Sequence, residues 1–274
     1  MRLSPRHPRY ASLRVREALA TAHRRGLVVP EGLIAHGRGE AFDYLLGERS
    51  TPGARRAERV AAEWLLAARH PVVSVNGNVA ALAAAEVARL ARAVPGLDVE
   101  VNLFHRTGPR ARQVAAALRR AGVPYVLGVR PNARIPGLPS DRARVDRRGI
   151  ADADVCLVPL EDGDRTEALR ALGKRVISID LNPLSRTNRA ADLPIVDELR
   201  RALAEIAATA FRRAKRPRPQ RFMPFDRQKA LAEALGRIGV GLRRAAARRP
   251  LARPRRRASP RRSRGTAGRT RRTP

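Results

Sequence analysis

Residues 175–187 read RVISIDLNPLSRT, and this stretch decides the fold. Its first half, through Val176, Ile177, Ser178 and Ile179, is apolar and β-branched, as a strand buried on both faces of a parallel sheet must be. The chain then turns polar at once. Asp180, Asn182, Ser185, Arg186 and Thr187 follow within eight residues, and Pro183 stops the strand. In an open α/β sheet, ligands sit in the crevice outside the carboxyl ends of the strands. A strand exit with a carboxylate, an amide, two hydroxyls and a guanidinium is therefore either a binding site or an ordinary strand-to-loop exit.

Working outward, strands are expected at 71–75, 98–104, 125–129, 155–160 and 193–196, and helices at 79–93, 109–121, 165–172 and 198–212. That alternation predicts an α/β fold, a Rossmann-like, mainly parallel sheet with helices on both faces. Extra helices precede it. Leu13, Val15, Leu19 and Ala22 recur at helical spacing in 10–25, with Gly26 to end the turn. Residues 52–69 form a second amphipathic helix, with Thr51 as N-cap, Pro52 in the first position and Trp64 in the core. The expected domain organisation is a core at 1–211 including the N-terminal helices, then a basic, proline-rich linker, RRAKRPRPQRFMP, at 212–224. A C-terminal helix at 225–245 follows, capped by Asp226, and then an Arg-rich tail at 246–274 with too little apolar surface to fold.

The 274 residues carry a net charge of +32, and 54 of the 57 basic residues are arginine. Fourteen of these arginines lie in 241–274 without a single acid, leaving +18 on the first 240 residues. Such a field suits nucleic acid through counterion release, and equally an enzyme of phosphorylated substrates. Cys156 is the only cysteine, which excludes an internal disulfide and agrees with a reducing cytoplasm. No run of eighteen apolar residues or signal-peptide core is present, so a cytoplasmic protein without a membrane span is expected. Sequences for a Walker A loop, a nucleophile elbow and Cys/His metal ligation are all missing, and no metal site is assigned.

Four expected strand ends are polar. Asn76, Gly77 and Asn78 follow PVVSV and precede a helix, where free backbone N–H groups and the helix dipole favour an anion. His105, Arg106 and Thr107 follow VEVNLF. Glu161, Asp162, Gly163 and Asp164 follow CLVPL; these acids suit Mg²⁺, a substrate ammonium, or simply the first turn of a helix. The fourth end is Asp180 to Thr187. In a parallel sheet all four converge on one edge. Apart from them, HGRGE at 36–40 sets Arg38 between two glycines that permit close backbone approach to a ligand.

Taken together, HPRYASLRVRE, GLIAHGRGEAFDYLLGE, VSVNGNVAAL, VEVNLFHRT, VPLEDGDRTEAL and ISIDLNPLSRT resemble archaeal phosphopantothenate synthetase, the 4-phosphopantoate–β-alanine ligase family, from about His7 to Arg244. The resemblance implies a homodimer in coenzyme A synthesis that joins 4-phosphopantoate to β-alanine, with ATP converted to AMP and diphosphate. It places ATP contacts on Arg16, Arg38, Asp180, Leu181, Asn182, Arg186, Thr187, Asp197 and Glu198, with Arg16 and Arg38 stabilising charge on the triphosphate. Asn76, Gly77, Asn78 and Arg106 are then expected at the substrate phosphate, and Glu161, Asp162 or Asp164 at Mg²⁺ or the β-alanine ammonium. The competing class is an Arg-rich nucleic-acid binder acting through its tail on an α/β scaffold; a kinase or ATPase on the same fold would release ADP instead of AMP.

Overall fold

The computed structural model describes residues 4–7 and 9–247. The expected Arg-rich tail lies almost entirely outside them. Five strands form one parallel sheet: Pro71–Val75 (β1), Asp98–Val101 (β2), Val155–Pro159 (β5), Arg175–Ile179 (β6) and Leu193–Ile195 (β7). Their order is β2-β1-β5-β6-β7, with every neighbouring pair parallel. The chain thus steps outward from β1 to β2, returns across β1 to β5, and continues the other way. That reversal puts a topological switch point between β1 and β5, where a doubly wound sheet opens its crevice.

Both faces are covered. Gly77–Ala93 (α4), Gly108–Arg120 (α5), Pro52–Ala67 (α3) and Leu199–Arg213 (α8) bury Val73, Val75, Leu157, Ile177 and Ile179 on one side. On the other, Val72, Cys156, Val158 and Val176 pack with Leu169 of Gly163–Ala171 (α6), with Ala191 after the short Arg186–Ala190 (α7), and with Ile135, Val145 and Ile150. Each large side chain withdrawn in this way is worth about 1.5–3 kcal/mol, which explains why β1 and β5 read as unbroken apolar runs. Cys156 belongs to this core, where burial pushes its thiol up to about 12.

The N-terminal helices are Tyr10–Arg24 (α1), which packs on α4, and Pro30–Leu46 (α2), which lies against α1 and against the last described helix, Arg227–Ala247 (α9). Thr51 caps α3 by accepting from Ala54 N, and Asp226 accepts from Lys229 N in the first turn of α9. The proline-rich connection between α8 and α9 is tied along α3. Trp64 Nε1 donates to Met223 O at 2.7 Å, Arg218 donates to the carbonyls of Leu66 and Ala68, and Phe222 stacks edge-on against Trp64.

One sequence expectation is corrected, the strand at 125–129, and residues 36–40 are helical, with Gly37 and Gly39 inside α2. Two helical glycines cost about 1 kcal/mol each, which the good helix formers around them offset. Residues 125–129 form no strand of the sheet: a single parallel bridge joins Leu127 to Glu100. The two-residue hairpin Ala133–Arg134 (β3) with Arg144–Val145 (β4) gave no alternating pattern long enough to detect.

Candidate active site

The crevice is built at the switch point by Asn76. Its Oδ1 accepts from Val79 N at 3.0 Å, capping α4, while Nδ2 donates to Pro159 O and Leu160 O at 3.2 and 2.9 Å. The side chain therefore stitches the exits of β1 and β5 together and has no donor left over for a ligand. Leu160 holds φ +51, the left-handed region a branched residue avoids, and donates its N–H to Ile179 O. Such backbone persists only where the surroundings over-determine it. Gly77 opens α4 because nothing larger fits: a Cβ there would stand 2.3 Å from Leu27 O and 2.8 Å from Arg110 Nη2. Asn78 Nδ2 donates to Gly32 O at 2.7 Å and so moors the first turn of α2 above the crevice.

Beneath α2 lies a cleft of about 240 Å³, lined by Arg38, Asn76 and Asp162 together with Glu31, His105 and Arg110. Arg38 is exposed, and no acid pairs with it among the described residues. Its positive charge opposes the rise that burial imposes on the Asp180 carboxyl. Arg38 thus stands between this cleft and the exit of β6.

Arg106 is not in the cleft lining. Its Nη2 donates to Gly128 O and Val129 O at 2.6 and 2.9 Å, so it holds that segment against β2, and burial lowers its pKa. Arg16 is also elsewhere. It grips Glu40 on α2, with Nε 2.9 Å and Nη2 2.8 Å from Oε2, and Tyr44 completes the cluster. Glu40 and Arg38 are two positions apart on one helix, which turns them to different faces.

The acidic cluster is occupied by arginines. Glu161, buried, pairs with Arg142 Nη1 at 2.7 Å and with the wholly buried Arg165. Arg165 also donates to Ser74 Oγ at 2.9 Å. Arg142 Nε lies 2.7 Å from Asp162 Oδ2, an ion pair too bent for a hydrogen bond. Asp164 pairs with Arg186 on the surface. A Mg²⁺ ion needs open carboxylate oxygens. This cluster does not fit one, and the described residues hold no group of three potential metal ligands. The three acids were expected to serve Mg²⁺ or an ammonium; of these, only Asp162 lines the cleft.

Past β6, the polar run forms a tight loop rather than a ring of free side chains. Asp180 Oδ1 accepts from Asn182 N, Asn182 Oδ1 from Leu184 N, and Ser185 caps α7 through Asn188 N. Buried Asn188 donates to Asp180 O and Asn182 O, latching the loop from below. Thr187 Oγ1 donates to Glu161 O at 2.6 Å, which joins the β5 and β6 exits. Leu181 packs with Leu46, Val196 and Ile238. Past β7, Asp197 receives Arg201, which also reaches Asp43 at 2.6 Å and so anchors the last turn of α2. Glu198 Oε2 caps α8. The expected residues therefore converge on one rim, with Arg16 and Arg106 set apart from the cleft, and many of them build the rim rather than face a ligand.

Arg110, Arg142 and Asn188 were not singled out from sequence. Arg110 stands in the first turn of a helix after a polar strand end, a signal that could have found it; Asn188 gives none.

The family model for phosphopantothenate/pantothenate synthetase matches residues 53–240, more than half of the chain. The chain belongs to this family. It is 56% identical over 201 residues to a 4-phosphopantoate–β-alanine ligase of Methanospirillum hungatei, covering 73% of this chain and 82% of that one. Against the ligase of the same name from Methanosarcina mazei, identity is 49% over 245 residues, 88% of this chain and 96% of the relative. A third, from Thermococcus kodakarensis, is 53% identical over 205 residues, 74% of this chain and 78% of the relative. Synthetases of this family thus share the stretch that contains every strand of the sheet and every loop of the rim.

Proposed function

We propose that this protein is a 4-phosphopantoate–β-alanine ligase. It condenses the two substrates to 4′-phosphopantothenate at the expense of ATP, releases AMP and diphosphate, and works as a cytoplasmic homodimer in coenzyme A synthesis. The observation that carries this reading is the place of Arg38, between a small cleft and the β6 exit, in a chain whose relatives bear that name.

The reaction must bring two anions together. The pantoate carboxylate attacks the α-phosphorus of ATP, diphosphate leaves, and the β-alanine amine displaces AMP from the acyl-adenylate. Catalysis is then positioning plus neutralisation of charge. Among the described residues no acid pairs with Arg38, which faces both compartments, so it is the side chain we assign to charge developing during the attack. The nucleotide lies along Asp180, Leu181 and Asn182 and against Arg186, Thr187, Asp197 and Glu198, met chiefly by backbone, since most of these side chains are engaged with one another. Arg16 reaches the triphosphate only by exchanging Glu40 for phosphate. Asp162 is the carboxylate placed beside the β-alanine ammonium.

Incubation with ATP, 4-phosphopantoate and β-alanine tests the proposal, with nucleotide products separated by chromatography. AMP appearing only when all three are present supports it; ADP in place of AMP would indicate a kinase or ATPase.

A further inference from the structure

A guanidinium held in advance by the protein, with one donor edge left over, is a preorganised anion receptor. Arg110 is in that condition. Its Nε donates to Leu27 O at 3.2 Å and its Nη1 to His105 O at 2.6 Å. None of the described residues accepts from Nη2, which lies against Gly77, where a Cβ would stand only 2.8 Å from it. Glycine at 77 therefore lets the guanidinium rest on the first turn of α4, beside backbone N–H groups at the positive end of a seventeen-residue helix. Arg110 lines the same cleft as Arg38.

Charge in this corner is unbalanced. Arg110 is half-buried, and both burial and the charge of Arg142 lower its pKa, Glu31 being the acid that opposes them. Arg142 is itself engaged by Glu161 and Asp162, and His105 lies 3.8 Å from Glu31 at the outer rim. Among the described residues no carboxylate lies close to Arg110, a condition that a bound dianion relieves. The cleft, about 240 Å³, is below the roughly 300–1,000 Å³ of pockets for drug-sized ligands. It is sized for a short phosphorylated hydroxy acid, and the nucleotide must lie outside it.

We infer that Arg110, not Arg106, is the residue that recognises the phosphate monoester of 4-phosphopantoate, with Nη2 and the first turn of α4 forming the phosphate seat. The inference rests on the ligase reading above. It assigns Arg110 to substrate selection: phosphorylated pantoate over pantoate itself.

Steady-state kinetics of Arg110→Met and Arg110→Lys, with both 4-phosphopantoate and pantoate as acceptors, test this. A charged hydrogen bond of about 1.5–3 kcal/mol predicts that KM for 4-phosphopantoate rises about tenfold to a hundredfold in R110M. KM for ATP should stay within about twofold, and the preference for phosphorylated pantoate should shrink by the same tenfold to hundredfold. R110K, which keeps the charge but loses the fork, should fall between. An unchanged preference, or an equal rise in KM for ATP, overturns the assignment. Titration of the wild type, R110K and R110M with inorganic phosphate by calorimetry reads the seat without turnover. Phosphate heat lost in R110M supports the seat even if the wild type makes no AMP, and equal phosphate binding in all three overturns it. Thermal melts of R110K and R110M establish that the variants compared are folded.

Discussion

Arg142 Nη1 lies 2.7 Å from Glu161 Oε1, and both side chains are withdrawn from solvent. With Arg165 on the other oxygen and Asp162 on Arg142 Nε, the pair forms a four-residue clamp at the exit of β5. Leu160, in its left-handed conformation, and Asp162, at the cleft, flank Glu161 on either side.

Removing one partner of such a pair leaves a buried charge uncompensated, which costs about 3–5 kcal/mol. Glu161→Ala should lose stability of that order in urea unfolding, and Arg142→Met should behave alike. A loss below about 1 kcal/mol, the range of exposed pairs, would contradict the clamp.

Arg38 offers the opposite case. It is exposed and without an acidic partner among the described residues, so Arg38→Ala should leave the melting temperature nearly unchanged. Turnover should fall by about 10²–10³, equivalent to about 2.7–4 kcal/mol if the loss resembles that of one oxyanion donor. AMP release under saturating substrates measures it, and near-normal turnover would remove Arg38 from the reaction.

Gly77→Ala is a backbone test. Its Cβ would meet Leu27 O at 2.3 Å, which no side-chain rotation can relieve. Overpacking of this kind costs typically about 1–3 kcal/mol. We expect a lower melting temperature and loss of ligase activity together. An active, equally stable variant would show that α4 can shift away from the chain at Leu27.

Stability should also depend on pH through Glu58. This residue of α3 is fully buried and faces Asp197, and burial together with Asp197 and Glu205 pushes its carboxyl up to about 9, against a smaller opposing effect of Arg55. The folded state therefore keeps a proton that the unfolded chain releases near the ordinary carboxylate value. The folded state binds more protons over that interval, so stability falls as pH rises from about 4.5 to about 9, with no further loss above it. Glu58→Gln should flatten the melting temperature over this window; an unchanged slope would contradict the assignment.

Much of this architecture could be read from sequence, for a physical reason. Strands buried on both faces, as at 71–75 and 155–159, must be continuously apolar, and helices at 52–67 and 199–213 must alternate on a 3.6-residue period. The stretch from Arg175 to Thr187 showed both its strand and the abrupt exit. What could not be read was the use of each polar side chain. Asn76, Thr187 and Glu198 look alike as candidate ligand groups, yet their partners are carbonyls and N–H groups reached only through the fold. Glu161 looked like an open acid because Arg142, its partner, lies nineteen positions upstream in a segment without periodic pattern. The glycines beside Arg38 likewise gave no sign of their place, since glycine in a helix and glycine in a turn are the same letter.

The central claim is that the cleft and the β6 exit bring a carboxylate against the α-phosphorus of ATP at Arg38. Synthesis with 4-phosphopantoate carrying ¹⁸O in its carboxylate, followed by mass spectrometry of the nucleotide and phosphate products, tests it most directly. One labelled oxygen is expected in AMP for each 4′-phosphopantothenate formed. Label recovered in inorganic phosphate alongside ADP would contradict it.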